Sequence, residues 1–330
     1  MKRILLYTLA GLLFLILVGP FLVPVRPLPN LQPPAALADE TSQFVTIPFA
    51  GTAGISLHYH EQGLGEPTFI LLHGFASNLY TWDKVMAEFA QHGRTLAYDR
   101  PPFGLSQKLV AGDWQGDNPY TDEAGMAQLL AFMDENNVGQ AVLVGNSAGG
   151  TLAMKMALAH PDRIQGLILV SPAVYTGGEV PLGRVLNTPQ MNHLGPLVAR
   201  QFASNEALVT LAYHDPSLFT AEARDKALLL TRTEKWDEAF WAFTAGRAAG
   251  GNVPLVPRLG ELTLPVLVVT GDDDRVVPTE ESIRLAGELA GAGETAVLTA
   301  CGHVPQEECP SQLMAAVVAW LAQQTFTPTR

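Results

Sequence analysis

Two cysteines, Cys301 and Cys309, are all that 330 residues provide. That excludes a disulfide-rich secreted scaffold and a four-cysteine metal site. With no cysteine before Cys301, a lipid-bearing N-terminal cysteine is excluded as well. Positive charge is also scarce. Lys and Arg number 20 against 32 Asp and Glu, the formal charge is −12, and no Lys/Arg-rich run occurs. Nucleic acid and anionic lipid surfaces are therefore poor partners. No internal repeat is present, which excludes solenoids and propellers. Low complexity is confined to the proline-rich stretch from Pro20 to Pro34. What remains is 48% hydrophobic, enough for one large core plus an insertion.

The most informative segment is Gly145-Asn146-Ser147-Ala148-Gly149-Gly150, directly after the apolar run Ala141-Val142-Leu143-Val144. A strand, then G-x-S-x-G, then a helix-compatible stretch from Thr151 to His160 predicts a sharp strand-to-helix turn. Residues two before and two after the serine crowd together there, so both positions favour glycine. The turn lifts the Ser147 hydroxyl off the sheet edge, beside a helix N-terminus that favours developing negative charge.

A nucleophilic serine needs a base, and the base needs an orienting acid. In strand–turn–helix sites the chain order is Ser, then Asp or Glu, then His. Downstream of Ser147 stand His160, His193, His214 and His303. Only His303, in Cys301-Gly302-His303-Val304-Pro305, follows a strand-like run, Thr295 to Leu298. That places it on a loop at a strand's carboxyl end, where functional groups of open α/β sheets gather. The acid candidate is Asp274, after the apolar run Pro265 to Thr270. Asp272 and Asp273 are rivals, and the spacing Gly-x-x-Asp-x-x-Val-Pro favours Asp274. The alternative acid position, after Gln165–Val170, holds Ser171-Pro172-Ala173 and no carboxylate.

Five segments in order now resemble the α/β-hydrolase superfamily, in its serine-nucleophile, capped branch. They are His73-Gly74-Phe75, Asp99-Arg100-Pro101-Pro102-Phe103-Gly104-Leu105-Ser106, the Ser147 turn, the Asp274 loop, and Gly302-His303-Val304-Pro305-Gln306-Glu307-Glu308. The resemblance spans about Phe44 to Gln324. Pro102 departs from it, standing where the family usually has glycine. The resemblance implies a mostly parallel, eight-stranded twisted sheet with helices on both faces and a helical cap. It implies Ser147 as nucleophile, His303 as base and Asp274 as its orienting acid. The backbone N–H groups of Phe75 and Ala148 would form the oxyanion hole. No metal or organic cofactor is expected. His73 reads as a structural group orienting backbone. His58 and His60 share a strand face, but without a third ligand nearby they do not read as a metal site.

The pattern of elements agrees with that fold. Phe44–Ala50, Ile55–Glu61, Thr68–Leu72, Thr95–Tyr98 and Gln165–Val170 read as strands, joining the three runs already named. Tyr80–His92, Thr121–Asn136 (with Thr121 as N-cap), Thr279–Leu289 and about Ser311–Gln323 read as helices. Tyr175 to about Leu259 interrupts the alternation with helix-forming runs at Gln201–Tyr213, Ala221–Thr231 and Glu234–Arg247. The expected division is 44–174 and 260–330 for the core, 175–259 for the cap. Of the cap's many aromatic residues, a minority are expected to face the serine and line an apolar pocket.

The expected activity is hydrolysis of small to medium apolar esters through an acyl-enzyme on Ser147, with a small-molecule substrate as partner. Serine at the turn argues against epoxide and haloalkane chemistry, which use aspartate there. Gly145-Asn146-Ser147 also resembles C–C bond hydrolases of the meta-cleavage-product type. Those use a cap arginine, for which Arg247 or Arg232 could serve. A third reading is a ligand-binding or sensing relative with slow turnover.

Ahead of the hydrolase-like part, Ile4 to Val25 carries no charge. Lys2 and Arg3 precede it, so the positive-inside rule predicts residues 1–26 as a membrane anchor with the enzyme on the extracytoplasmic side. Ala36-Leu37-Ala38 offers a cleavage site and hence secretion as the alternative. Residues 27–43 read as a stiff, extended spacer. Cys301 and Cys309 flank His303; two unpaired thiols are expected, with a disulfide as the alternative.

Overall fold

The computed structural model describes residues 2–175, 183–203, 207–248, 254–290 and 293–326. Its strands are β1 (Gln43–Ile47), β2 (Ile55–Gln62), β3 (Phe69–Leu72), β4 (Thr95–Tyr98), β5 (Ala141–Asn146), β6 (Ile164–Val170), β7 (Val266–Gly271) and β8 (Gly293–Leu298). They form one eight-stranded sheet in the order β1-β2-β4-β3-β5-β6-β7-β8. β2 pairs antiparallel with both β1 and β4, and every other pairing is parallel. The expected architecture is therefore present.

Its cause is visible in the side-chain alternation. Leu143, Leu167 and Leu169 face one core, whereas Val142, Val144, Ile168 and Val170 face the other. Successive strand residues point to opposite faces, so strands apolar at every position must be covered on both. β3, β5 and β7 are buried throughout, while the edge strand β8 is partly exposed.

The helices are α1 (Lys2–Leu17), α2 (Asp83–Phe89), α3 (Asp122–Glu135), α4 (Ala148–Ala159), α5 (Pro189–Ala203), α6 (Ala207–Ala212), α7 (Ala221–Ala227), α8 (Trp236–Ala248), α9 (Thr279–Glu288), α10 (Pro305–Glu308) and α11 (Pro310–Leu321). One face of the sheet packs on Leu129, Phe132 and Met133 of α3 and on Met154 and Met156 of α4. The other packs on Val85 and Phe89 of α2 and on Leu313, Val317 and Trp320 of α11. Thr121 caps α3 as expected, its hydroxyl accepting the Ala124 N–H at 3.2 Å.

Among the described residues, the α-helices α5 to α8 intervene between β6 and β7. The sequence pattern missed most of α5, because Gly195 and Pro196 are helix breakers by ordinary propensity. Packing decides otherwise. A Cβ on Gly195 would lie 2.1 Å from the Trp241 ring, so the glycine lets α5 close onto α8.

The N-terminal expectation is overturned. α1 has 16 residues. At about 1.5 Å per residue it reaches ~24 Å, short of the ~30 Å hydrocarbon core. No helix among the described residues is long and apolar enough to cross a membrane. A membrane anchor placing the catalytic domain extracytoplasmically is therefore not supported. The sequence reading counted uncharged residues through Val25, but the helix gives way at Gly19-Pro20 to a single 3₁₀ turn, Gly19–Leu22.

The proline-rich segment includes the 3₁₀ turns Gly19–Leu22 and Pro34–Leu37 and is hydrogen-bonded to the inserted helices. The Gln32 N–H donates to Arg232 O at 2.9 Å, and the Glu234 N–H to Gln32 O at 3.0 Å. His193 Nε2 lies 2.9 Å from Val23 O. The segment is therefore docked along the inserted helices.

Candidate active site

Ser147 links β5 to α4 with φ 51° and ψ −118°. A non-glycine residue reaches positive φ only at a cost, which surrounding structure must offset. The neighbouring glycines show why the turn is possible. A Cβ on Gly145 would sit 2.5 Å from the Gly149 and Gly150 backbone, and one on Gly149 would sit 2.1 Å from Leu72 O. The Ser147 N–H is held by Val170 O at 2.9 Å. Ala148 opens α4, so its N–H lies outside the helix ladder and stays available.

The loop after β3 lies directly against the serine. A Cβ on Gly74 would be 3.4 Å from Ser147 Cβ and 3.1 Å from Asn146 Oδ1. His73 is fully buried. Its Nε2 accepts the Arg100 N–H at 2.9 Å, so the proton resides on Nδ1, which donates to Gly74 O at 2.7 Å. Burial, aided by the nearby Arg100 charge, pushes the imidazole down to about 3, so it is neutral at ordinary pH. His73 therefore orients backbone, as the sequence suggested.

On the other side of the serine, His303 Nδ1 lies 2.9 Å from Asp274 Oδ2 and 3.1 Å from Oδ1. Asp274 is buried, and its Oδ1 also accepts the Val276 and Val277 N–H groups, each at 2.9 Å. The rival carboxylates are occupied elsewhere. Asp272 accepts the Cys301 N–H, and Asp273 pairs with Arg275 and His214. Among the described residues no hydrogen bond joins the Ser147 hydroxyl to His303. The connection runs instead through Asn146, whose Nδ2 donates to His303 O and to Val170 O, both at 3.1 Å. The sequence left the direction of Asn146 open; it bridges the serine turn to the histidine loop.

That loop is tied from several directions. The His303 N–H donates to Ala212 O at 2.7 Å. The Glu308 carboxylate accepts the N–H groups of Gly302 (2.7 Å), His214 (3.1 Å) and Asp215 (2.7 Å). Cys301 and Cys309 form a disulfide, which corrects the expectation of two unpaired thiols. Sequence separation alone could not supply the Cα–Cα approach of 6.1 Å. Cys301, Glu308 and Cys309 cluster with metal-ligand geometry, but both sulfurs are taken up in the bond. His58 and His60 do not read as ligands either. His58 lies between Asp99 and Ser42, at 2.7 and 2.8 Å, and His60 contacts Thr41 and Asp39.

The inserted helices supply an aromatic cover. Phe202, Phe240 and Phe243 lie with ring centroids 5.7–5.9 Å from Phe75. Beside Ala148 a cavity runs between Arg100, Tyr120, Asp122, Phe243 and Arg247. Asp122 pairs with Lys155 and with Arg247 Nη1, the latter at 2.8 Å. Sequence reasoning did not single out Arg100, Asp122 or Glu308. Arg100 and Glu308 lie inside two of the quoted segments, but the partners Gly74 and Asp215 of these two and Arg247 of Asp122 lie far away in the chain, so spacing did not announce their contacts.

The α/β-hydrolase fold model matches residues 67–310, which covers the serine turn, the Asp274 loop and His303. The chain belongs to the α/β-hydrolase fold family. It is a hydrolase. It is 30% identical to the dihydrolipoyllysine-residue acetyltransferase component of the acetoin cleaving system of Cupriavidus necator, over 84% of this chain and 69% of that one. It is 29% identical to a 2-hydroxy-6-oxononadienedioate/2-hydroxy-6-oxononatrienedioate hydrolase of Paraburkholderia phymatum, covering 86% of this chain and 96% of the other. A thermophilic esterase from Thermogutta terrifontis has the same fold, with a TM-score of 0.67 and 23% identity, covering 85% and 98% of the two chains.

Proposed function

We propose that this hydrolase cleaves small to medium apolar carboxylic esters with Ser147 as nucleophile, His303 as base and Asp274 as the residue that orients His303. The observation that carries the reading is the serine at φ 51° beside a helix N-terminus, with a buried Asp274–His303 pair one residue away through Asn146. Ser147 Oγ attacks the ester carbonyl as His303 takes its proton. His303 returns that proton to the leaving alkoxide, and water repeats the cycle on the acyl-enzyme. Asp274 keeps the proton on Nδ1, leaving Nε2 free to accept, and stabilises the imidazolium. The Ala148 and Phe75 N–H groups meet the tetrahedral oxyanion. The Phe75, Phe202, Phe240 and Phe243 cluster supports an apolar acyl or alcohol group.

A second reading, C–C bond hydrolysis of a vinylogous diketone acid, is favoured by Arg247 and Arg100 beside Ala148. Two cations there suit a substrate carboxylate. The relatives with 2-hydroxy-6-oxo acid names support it too. Both readings are tested together. The full chain is assayed on 4-nitrophenyl acetate and butyrate and on a 2-hydroxy-6-oxo-dienoate, beside Ser147→Ala. Ester turnover with kcat lowered roughly 10⁴-fold or more by the substitution is expected. A serine variant as active as wild type would remove the nucleophile assignment. Preference for the dienoate by orders of magnitude in kcat/KM would select the second reading.

A further inference from the structure

The peptide unit joining Gly74 to Phe75 is held from its carbonyl side. Gly74 O accepts the neutral His73 Nδ1–H at 2.7 Å and the Arg100 Nη2–H at 3.2 Å. The N–H of that same peptide belongs to Phe75, and Gly74 packs against Ser147. Arg100 is in turn tied to His73, because its own N–H donates to His73 Nε2. The three residues close a ring of hydrogen bonds around one peptide plane.

Arg100 has an unusual environment for a cation. It forms no ion pair among the described residues, and its Nε is buried without a partner. Burial, joined by repulsion from Arg247, lowers it to about 10, so the guanidinium still carries its charge at neutral pH. The side chain is only partly buried and the Asp122 carboxylate in the same cavity favours its charge, yet no ion pair holds it among the described residues. The acceptor it does have is Gly74 O.

We propose that Arg100 is a positioning residue for the oxyanion hole, acting through the Gly74–Phe75 peptide whose carbonyl it holds. The peptide is planar and its C–N bond is partly double. Fixing its oxygen with two donors therefore fixes the direction of its N–H. A cationic donor on the oxygen also draws electron density through the amide and strengthens the N–H as a donor. The gain is realised when the substrate oxygen becomes an oxyanion, because that is when the N–H meets full charge. Arg100 never touches the substrate in this role. The inference rests on the reading of Phe75 N–H as an oxyanion donor to a Ser147 adduct.

The test uses the full chain with Arg100→Met, Arg100→Lys and Ser147→Ala. Each is measured on 4-nitrophenyl acetate, with rates of the wild type and the two Arg100 variants normalised to active sites titrated by a fluorophosphonate, and those of Ser147→Ala to folded protein. Affinity for an aryl trifluoromethyl ketone, whose serine adduct is an oxyanion, is measured alongside. Removing a direct oxyanion donor costs ~10²–10³-fold, and an indirect one should cost less. Arg100→Met is expected to lower kcat about 10–100-fold with KM within about 3-fold, and to weaken the ketone by the same factor as kcat/KM. Arg100→Lys keeps the charge and one donor, and should recover part of both losses.

If Arg100→Met leaves kcat and ketone affinity unchanged while Ser147→Ala is inactive, the positioning role is overturned and the hydrolase reading stands. A drop confined to the folded fraction, with per-site constants unchanged in Arg100→Met, also overturns it. If Ser147→Ala retains wild-type activity, the underlying reading fails first.

Discussion

The serine turn and the histidine loop meet at one edge of the sheet but are held there by different means. The turn is local. Its shape follows from a buried strand, two glycines that could not be anything larger, and the helix that begins at Ala148. The histidine loop is held by distant groups: Asn146 on its carbonyl, Ala212 on its N–H, Glu308 on its neighbour and the Cys301–Cys309 bond across its base. A serine at such a turn takes one proposed oxyanion donor, the Ala148 N–H, from the turn itself, and needs only the neighbouring β3 loop for the other. A base must arrive from another part of the chain, and only tertiary contacts can aim it.

The sharpest probe of this contrast is Asp274→Asn. Asparagine keeps the shape but no longer stabilises the imidazolium, and it favours the wrong tautomer. Its kcat should fall about 10³–10⁴-fold at neutral pH, with the fold intact by circular dichroism. A loss under 10-fold would show that His303 is oriented by its loop contacts alone.

Gly149→Ala attacks the other side. The added methyl would meet Leu72 O at 2.1 Å, so backbone must move. A loss of about 3 kcal/mol in urea unfolding is expected. An unchanged midpoint would mean the turn is not fixed by glycine crowding.

Reducing the disulfide, or replacing both partners by serine, should cost roughly 2–3 kcal/mol, from the entropy of closing so short a loop in the unfolded chain. Thermal melts with and without reductant read this directly. Equal melts would show that Glu308 and Ala212 hold the loop unaided.

Asn146→Ala removes two hydrogen bonds that join the two regions. About 1–1.5 kcal/mol is at stake, and ~10-fold in kcat if the displacement reaches His303. A stability loss with kcat intact would confine Asn146 to the strand.

The hydrophobic pattern made the sheet legible. Runs such as Val142–Val144 and Val266–Val269 are apolar at consecutive positions, so they had to be covered on both faces. Edges were less clear: β8 begins at Gly293, two residues before the apolar run that announced it. α5 escaped because Gly195 and Pro196 contradict helix propensity, and only the Trp241 ring across from them explains the helix. The N-terminal reading failed for a related reason. The uncharged run reaches Val25, but the helix ends at Leu17, before Gly19-Pro20, and is too short to span while the apolar residues continue.

The sequence by itself determined the strand order of chemistry: a serine boxed by glycines, an aspartate in a Gly-x-x-Asp loop, and a histidine after the last strand. Those signals are local, and local sterics make them readable. Only the tertiary structure decided which partners complete them. Asn146 turned toward His303, Cys301 met Cys309, and Arg100 closed on the carbonyl behind Phe75. Each such contact joins residues brought together by the packing of separate elements, and no one-dimensional spacing encodes that approach.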